Sequence, residues 1–262
     1  MAADSGNGIL DGYTIAVTRP QHQAGNLCRL IEAEGGIALR FPVIDIQPVH
    51  GPSLQSLLQH LHDYQLAIFV SANAVHHAYA ALGDQGLPDA LQRAAVGQAT
   101  ARALAEHGQP AHIQSPPPYN SEALLGMPEL QSMKGKRVII FRGVGGRSLL
   151  ADTLGARGAR VDYAEVYRRV AGSNEPKQLY QAWDAGKLDM IVVTSNEGLQ
   201  NLIDRVDEQH RRKLLETALI VISERNAARA RELGFKRPAL VAHAASDAAL
   251  FEAAKRYTQE QR

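Results

Sequence analysis

Tyr13-Thr14-Ile15-Ala16-Val17-Thr18-Arg19-Pro20 is an apolar run that ends on a polar turn carrying an arginine, and it returns half a chain later as Arg137-Val138-Ile139-Ile140-Phe141-Arg142-Gly143. Further pairs keep nearly the same register: Gly36 with Gly158, Ser71 with Ser195, Gly97 with Ser223 and Ser121 with Ser246. The chain reads as one α/β unit written twice, which predicts two similar lobes. A cleft between two lobes is a common seat for a small molecule.

Each copy opens with a strand, a loop and an amphipathic helix closed by glycine. In the first copy the strand is Tyr13 to Val17 and the helix covers about 24–34. Gly35-Gly36 then supplies the left-handed C-cap that glycine adopts cheaply. Next, Leu66-Ala67-Ile68-Phe69-Val70-Ser71 leads into a helix over 72–82, and Met190-Ile191-Val192-Val193-Thr194-Ser195 into one over 196–206. Ser71 and Ser195 stand where N-caps belong. Ala94-Ala95-Val96-Gly97 and Leu219-Ile220-Val221-Ile222-Ser223 each precede a helix, ending at Gly108 and Gly234. Ser121 and Ser246 open a last helix in each copy, where Glu122 and Asp247 favour the positive helix start.

Unbroken apolar strands alternating with helices imply parallel sheets covered on both faces, because only a strand buried on both sides can dispense with polar alternation. The expected fold class is α/β, two small doubly wound, flavodoxin-like lobes. Ligands bind such folds beyond the carboxyl ends of the strands. Arg19, Ser71, Gly97, Arg142, Ser195 and Ser223 all fall at that edge. Two β-rich segments, 41–48 and 163–170, occupy equivalent places in the repeat and read as extended connectors rather than core strands. Such a pair makes a narrow two-stranded hinge.

Composition narrows the function. The 262 residues are 45% hydrophobic, ample for packed cores, and the net charge of +1 from 28 basic and 27 acidic side chains argues against a general nucleic-acid binder. No apolar stretch is long enough to cross a bilayer, and Met1 to Gly8 lacks the pattern of a signal peptide, so the expected compartment is the cytoplasm. The single cysteine, Cys28, lies in the apolar phase of its helix beside Leu27, Leu30 and Ile31 and reads as packing. His60, His62, His76 and His77 lack ligating company at metal spacing, so no metal site is expected. Arg142-Gly143-Val144-Gly145-Gly146-Arg147-Ser148 is the best anion-loop candidate, although it misses both the dinucleotide and the P-loop fingerprints; turn glycines with surface arginines are the bland reading. Ser115-Pro116-Pro117-Pro118 reads as an in-domain loop, and Arg211-Arg212-Lys213 as a solvated helix end.

Taken together and in order, Val17-Thr18-Arg19-Pro20, Phe41-Pro42-Val43, Phe69-Val70-Ser71-Ala72-Asn73-Ala74-Val75, Ala95-Val96-Gly97-Gln98-Ala99-Thr100, Val166-Tyr167 and Val193-Thr194-Ser195 resemble the uroporphyrinogen-III synthase family. The resemblance runs from about Gly12 to Glu252. It implies closure of the linear tetrapyrrole hydroxymethylbilane to uroporphyrinogen III, with loss of water and inversion of the last pyrrole ring through a spirocyclic intermediate. No cofactor and no metal are implied, and the partner is a small-molecule octacarboxylate; composition adds the expectation of no nucleic acid and no membrane, and nothing in the sequence requires more than a monomer. It also implies exchanged halves: 12–41 with 171–259 form lobe one, 49–165 form lobe two, 42–48 and 166–170 are the connectors, and 1–11 is a flexible N-terminus.

The resemblance places Tyr167 at the cleft, where its phenol would serve the departing hydroxyl; an aromatic packed at the lobe edge is the alternative. Ser71, Asn73, Thr100 and Ser195 match family cleft positions and would bind carboxylates, together with Arg19 and Arg142, or would simply cap helices. Ser223-Glu224-Arg225-Asn226 departs from the family pattern, because Asn226 stands where many members carry a threonine and Glu224 adds negative charge that Arg225 can offset. Two rivals differ in class. A two-lobed sensor of an anionic metabolite fits the lack of an acid/base pair. A nucleotide-dependent transferase needs a diphosphate loop and acidic metal ligands that are missing from the sequence.

Overall fold

The computed structural model describes residues 8–261. In chain order, β1 (Thr14–Val17), α1 (Gln21–Ala33), β2 (Ile37–Arg40) and β3 (Ile44–Pro48) come first. Then follow α2 (Pro52–Gln59), β4 (Leu66–Phe69), α3 (Ala72–Leu82), β5 (Gln92–Ala95), α4 (Gln98–Glu106), β6 (Ile113–Gln114) and α5 (Ser121–Leu125). The second copy supplies β7 (Arg137–Gly143), α6 (Leu149–Ala156), β8 (Arg160–Ala171), α7 (Lys177–Asp184), β9 (Leu188–Val192) and α8 (Asn196–Arg205). It closes with α9 (Glu208–Glu216), β10 (Ala218–Val221), α10 (Glu224–Glu232), β11 (Leu240–Val241) and α11 (Asp247–Gln261).

The chain divides into two compact units. Unit 1 takes the chain as far as Asp45 and again from Val170 onward, and unit 2 is Ile46–Arg169. The sheet of unit 1 has the order β11-β10-β9-β1-β2, with parallel pairing throughout. The halves are therefore exchanged: the first strand of the chain lies against β9, from the second copy. On α1, Ala24, Leu27, Cys28 and Ile31 form one buried stripe at helical spacing. Gly35 ends the helix at φ +81°, where a side chain would be strained. Burial pushes the Cys28 thiol up from its ordinary pKa, which leaves it a packing group.

The second sheet has the order β3-β8-β7-β4-β5-β6, with β8, β7, β4, β5 and β6 parallel. Its central strand shows why an unbroken apolar run signals two-sided burial. Val138 and Ile140 pack into one hydrophobic cluster, Ile139 and Phe141 into the cluster on the other face. Phe141 stacks on Phe69 of β4 with ring centroids 4.6 Å apart, worth about 0.5–1.5 kcal/mol beyond the area buried.

Residues 163–167 depart from the connector reading. They belong to a twelve-residue strand, β8, which pairs with β7 in register as far as Glu165 and, past a register shift, at Tyr167, and Val166 and Tyr167 are core residues. A strand with one face on a core is held by packing as well as by its ladder. The partner segment runs the opposite way, since Gly172 N–H donates to the Val43 carbonyl while Val49 N–H donates to that of Val166. The N-terminal stretch expected to be flexible over 1–11 also differs: Leu10 is fully buried and its N–H donates to the Glu34 carbonyl, while residues 1–7 lie outside the described residues. A single leucine at the foot of the sheet gave no periodic signal. No helix among the described residues is long and apolar enough to cross a membrane.

Candidate functional site

In unit 2 the carboxyl ends of β4, β5, β7 and β8 bring five of the candidate residues to one sheet edge. Ser71 caps α3, its Oγ accepting the Ala74 N–H at 3.1 Å. The extended backbone at Ser71, φ −160°, is what lets the hydroxyl turn back over the first turn. Asn73 and Thr100, in the first turns of α3 and α4, are both buried. Tyr167 ends the part of β8 that pairs with β7 and is 3% exposed.

A register shift between Arg142 and Gly143 sets Gly143 opposite Tyr167. Bulges of this kind re-aim side chains at the rim of a sheet. The Tyr167 ring lies so close to the Gly143 backbone that a Cβ there would stand 2.7 Å from it. The ring also stacks on His77, with centroids 5.7 Å apart. Its hydroxyl lies 3.2 Å from Ser71 Oγ, a hydrogen bond in which either atom can donate.

Arg142 is buried, its guanidinium 4.5 Å over the Tyr163 ring. Nε donates to the Gly143 carbonyl at 3.1 Å and Nη1 to the Arg147 carbonyl at 3.4 Å, while Glu165 is 3.9 Å away. The glycine-rich loop thus folds back on the arginine that precedes it. Arg147, beyond the loop, forms a two-pronged pair with Glu122 at 2.6 and 3.3 Å, which lowers the Glu122 pKa. A cavity of about 180 Å3 opens beside this loop, and Arg142, Arg147, Arg169, Ser121, Tyr163 and Tyr167 contribute to its walls.

In unit 1 the remaining three candidates are engaged with groups at the starts of that unit's helices. Arg19 pairs with Asp247, which also accepts from Asn26 Nδ2 at 2.9 Å, and Arg19 Nε is buried without a partner. Ser195 caps α8 through the Gly198 N–H at 2.9 Å. Asn226 is 2% exposed; its Oδ1 accepts from Ser223 Oγ at 2.8 Å and its Nδ2 donates to Asn196 Oδ1 at 2.6 Å. Asn226 thereby ties the first turn of α10 to that of α8.

Sequence reasoning missed Tyr163 and Arg169, which carry no motif, and the cap of α5. The residue whose side chain accepts there is Asn120, from the Ala123 N–H, and Ser121 is the first helical residue. An asparagine one position earlier serves the first turn as well as a serine, so composition alone did not choose between them.

The family model described as uroporphyrinogen-III synthase HemD matches residues 26–252. The chain belongs to the uroporphyrinogen-III synthase family. The Escherichia coli K12 uroporphyrinogen-III synthase is 37% identical over 244 residues, covering 90% of this chain and 98% of that protein. A putative uroporphyrinogen-III synthase of Methanothermobacter thermautotrophicus is 30% identical over 77% of the chain and 81% of its own length. The crystal structure of a mutant uroporphyrinogen III synthase from the extremely thermophilic bacterium Thermus thermophilus shares the fold at TM-score 0.60 and 22% identity, over 95% of this chain and 100% of that one. Within this synthase family the chain thus has the family's length and fold, and its hydroxyl-bearing residues stand at the sheet edges.

Proposed function

We propose that this chain closes hydroxymethylbilane to uroporphyrinogen III, with loss of water and inversion of the last pyrrole ring, and that Tyr167 of unit 2 is the group that assists the departing hydroxyl. The observation that carries the assignment of Tyr167 is its hydroxyl contact with Ser71 at 3.2 Å, at the carboxyl edge of the sheet and on the wall of an arginine-bearing cavity. One Ser71 lone pair is taken by the Ala74 N–H, and the Ser71 hydrogen remains to be given. When Ser71 donates to Tyr167 Oη, the phenol hydrogen is directed to a ligand. As the carbon–oxygen bond of the hydroxymethyl group breaks, Tyr167 donates a hydrogen bond or proton to the leaving oxygen, and the pyrrole nitrogen supplies the electron pair that replaces the bond.

The rest is positioning. Ring inversion requires the substituted carbon of the last pyrrole to attack, and an unguided chain closes through the free carbon to the type I isomer. Holding the reacting carbons at contact distance is worth many powers of ten over free encounter. Carboxylate arms of the substrate suit Arg142 and the N–H groups behind Ser71, Asn73 and Thr100. At the edge of unit 1, Arg19, Ser195 and Asn226 set the helix starts whose N–H groups suit further carboxylates. The working form is a monomer in the cytoplasm that needs no cofactor or metal.

The test supplies freshly made hydroxymethylbilane to the purified protein, oxidises the products and separates the porphyrin isomers. The proposal expects type III to dominate without any added cofactor. Type I alone, the product of unassisted closure, would instead make the chain a binder of an anionic metabolite.

A further inference from the structure

The cavity beside the glycine loop of unit 2 holds two features that the closure reaction leaves unexplained. Tyr163 is on its wall, and Tyr163 Oη is buried with no hydrogen-bond partner. Native proteins mostly avoid that state, and where it persists it calls for an explanation. The second feature is an excess of positive charge. Arg147 is held by Glu122 and Arg142 stands 3.9 Å from Glu165, but Arg169, also on the wall, has no carboxylate partner among the described residues.

We propose that this cavity seats one carboxylate arm of the tetrapyrrole, with Tyr163 Oη and the Arg142 guanidinium as its donors and the exposed Arg147 and Arg169 drawing the arm in. The assignment rests on the synthase reading. Size supports it: about 180 Å3 is below the 300–1,000 Å3 that drug-sized ligands occupy, so the space takes a side arm and not the macrocycle. Chemistry supports it as well, because a phenol and a largely buried guanidinium on one wall can give a carboxylate two hydrogen bonds, and charge-assisted bonds are the strong ones.

Arg142 is the part that moves. Its guanidinium lies over the Tyr163 ring and is held by two loop carbonyls, at 3.1 and 3.4 Å, and by a long pairing with Glu165 at 3.9 Å. An incoming carboxylate offers it a better partner than either carbonyl. Gly146 makes the loop's close approach possible: a Cβ there would stand 2.8 Å from Arg142 Nη2, and the glycine sits at φ +98°.

Tyr163→Phe tests the inference, because it removes one oxygen that nothing in the free protein uses. The expected result is a variant that still makes the type III isomer, with kcat/KM about tenfold lower through KM and a Tm equal to or above that of the unsubstituted protein. A tenfold loss is the size of one hydrogen bond to a charged group. An unchanged KM would overturn the subsite. A fall in Tm together with the rise in KM would also overturn it, since the hydroxyl would then be supporting the fold. Failure of the synthase reading shows separately, as type I product from the unsubstituted protein. In that event uroporphyrin titration of both proteins still reads the subsite: a tenfold weaker Kd for Tyr163→Phe supports it and an equal Kd overturns it.

Discussion

At the end of β1, Arg19 is drawn to Asp247 and held there beside Asn26; at the equivalent place at the end of β7, Arg142 lies over the Tyr163 ring, held by two loop carbonyls and only a long 3.9 Å pairing with Glu165. The serines of the repeat differ in the same way. Ser195 and Ser71 both cap their helices, but only Ser71 has a tyrosine hydroxyl against it. In unit 1 Asn226, too, gives its side chain to neighbours, Ser223 and Asn196. A duplicated fold supplies two edges rich in donors. In unit 1 those donors are largely satisfied by neighbouring helices, whereas in unit 2 a bulge, a glycine and an arginine-bearing loop leave room for a ligand. What separates the two edges is which side chains the second-copy strands β7 and β8 carry to the edge of unit 2.

The sharpest way to break this contrast is Gly143→Ala. The added Cβ meets the Tyr167 ring at 2.7 Å, and a buried ring cannot yield without moving its hydroxyl. A displacement of that order is expected to cost about 100-fold in kcat together with a loss of stability. Full activity, measured as type III product, would mean that the position of the Tyr167 hydroxyl is unimportant.

Paired serine variants come next. Ser71→Ala and Ser195→Ala each remove an N-cap, and each is expected to lower unfolding stability by about 1 kcal/mol in urea titration. Only Ser71→Ala also orphans Tyr167, so it is expected to lose about tenfold in kcat while Ser195→Ala stays within about twofold, since a single hydrogen bond to a reacting group is worth roughly that factor. Equal kcat losses would erase the distinction between the edges.

Alkaline titration sharpens the comparison with the smallest effect. Burial pushes Tyr79 up to about 12, and burial with the Asp162 hydrogen bond does the same for Tyr64; both belong to unit 2. A phenol whose folded pKa exceeds its unfolded value of about 10 stabilises fully below that value and loses its contribution as pH rises toward 12. Hydrogen exchange at rising pH is therefore expected to show added opening in α3 before α8. Tyr79→Phe should remove part of that difference, and identical profiles for the two helices would contradict it.

The sequence carried the large features because they rest on local rules. Ser71 and Ser195 were legible as caps, and the apolar runs as strands buried on two faces, since each is decided within a few residues. The exchange of halves was not legible from pattern: β1 pairs with β9 across the length of the chain, and parallel pairing leaves no turn signature. The resemblance supplied it. Tyr167 likewise came from the resemblance, because its approach to Ser71 depends on a bulge and a bare glycine that no periodicity reveals. Tyr163 stayed hidden for a further reason: an unpartnered hydroxyl is a property of packing and has no sequence form.

The most direct test of the account is the single-turnover rate of Tyr167→Phe on hydroxymethylbilane, read beside its affinity for uroporphyrin. Removing only the phenol oxygen is expected to slow formation of uroporphyrinogen III by about 100-fold, the lower range for a general acid, while the affinity changes little. A variant that closes the ring at the rate of the unsubstituted protein would contradict the role given to Tyr167 and, with it, the claim that unit 2 carries the chemistry.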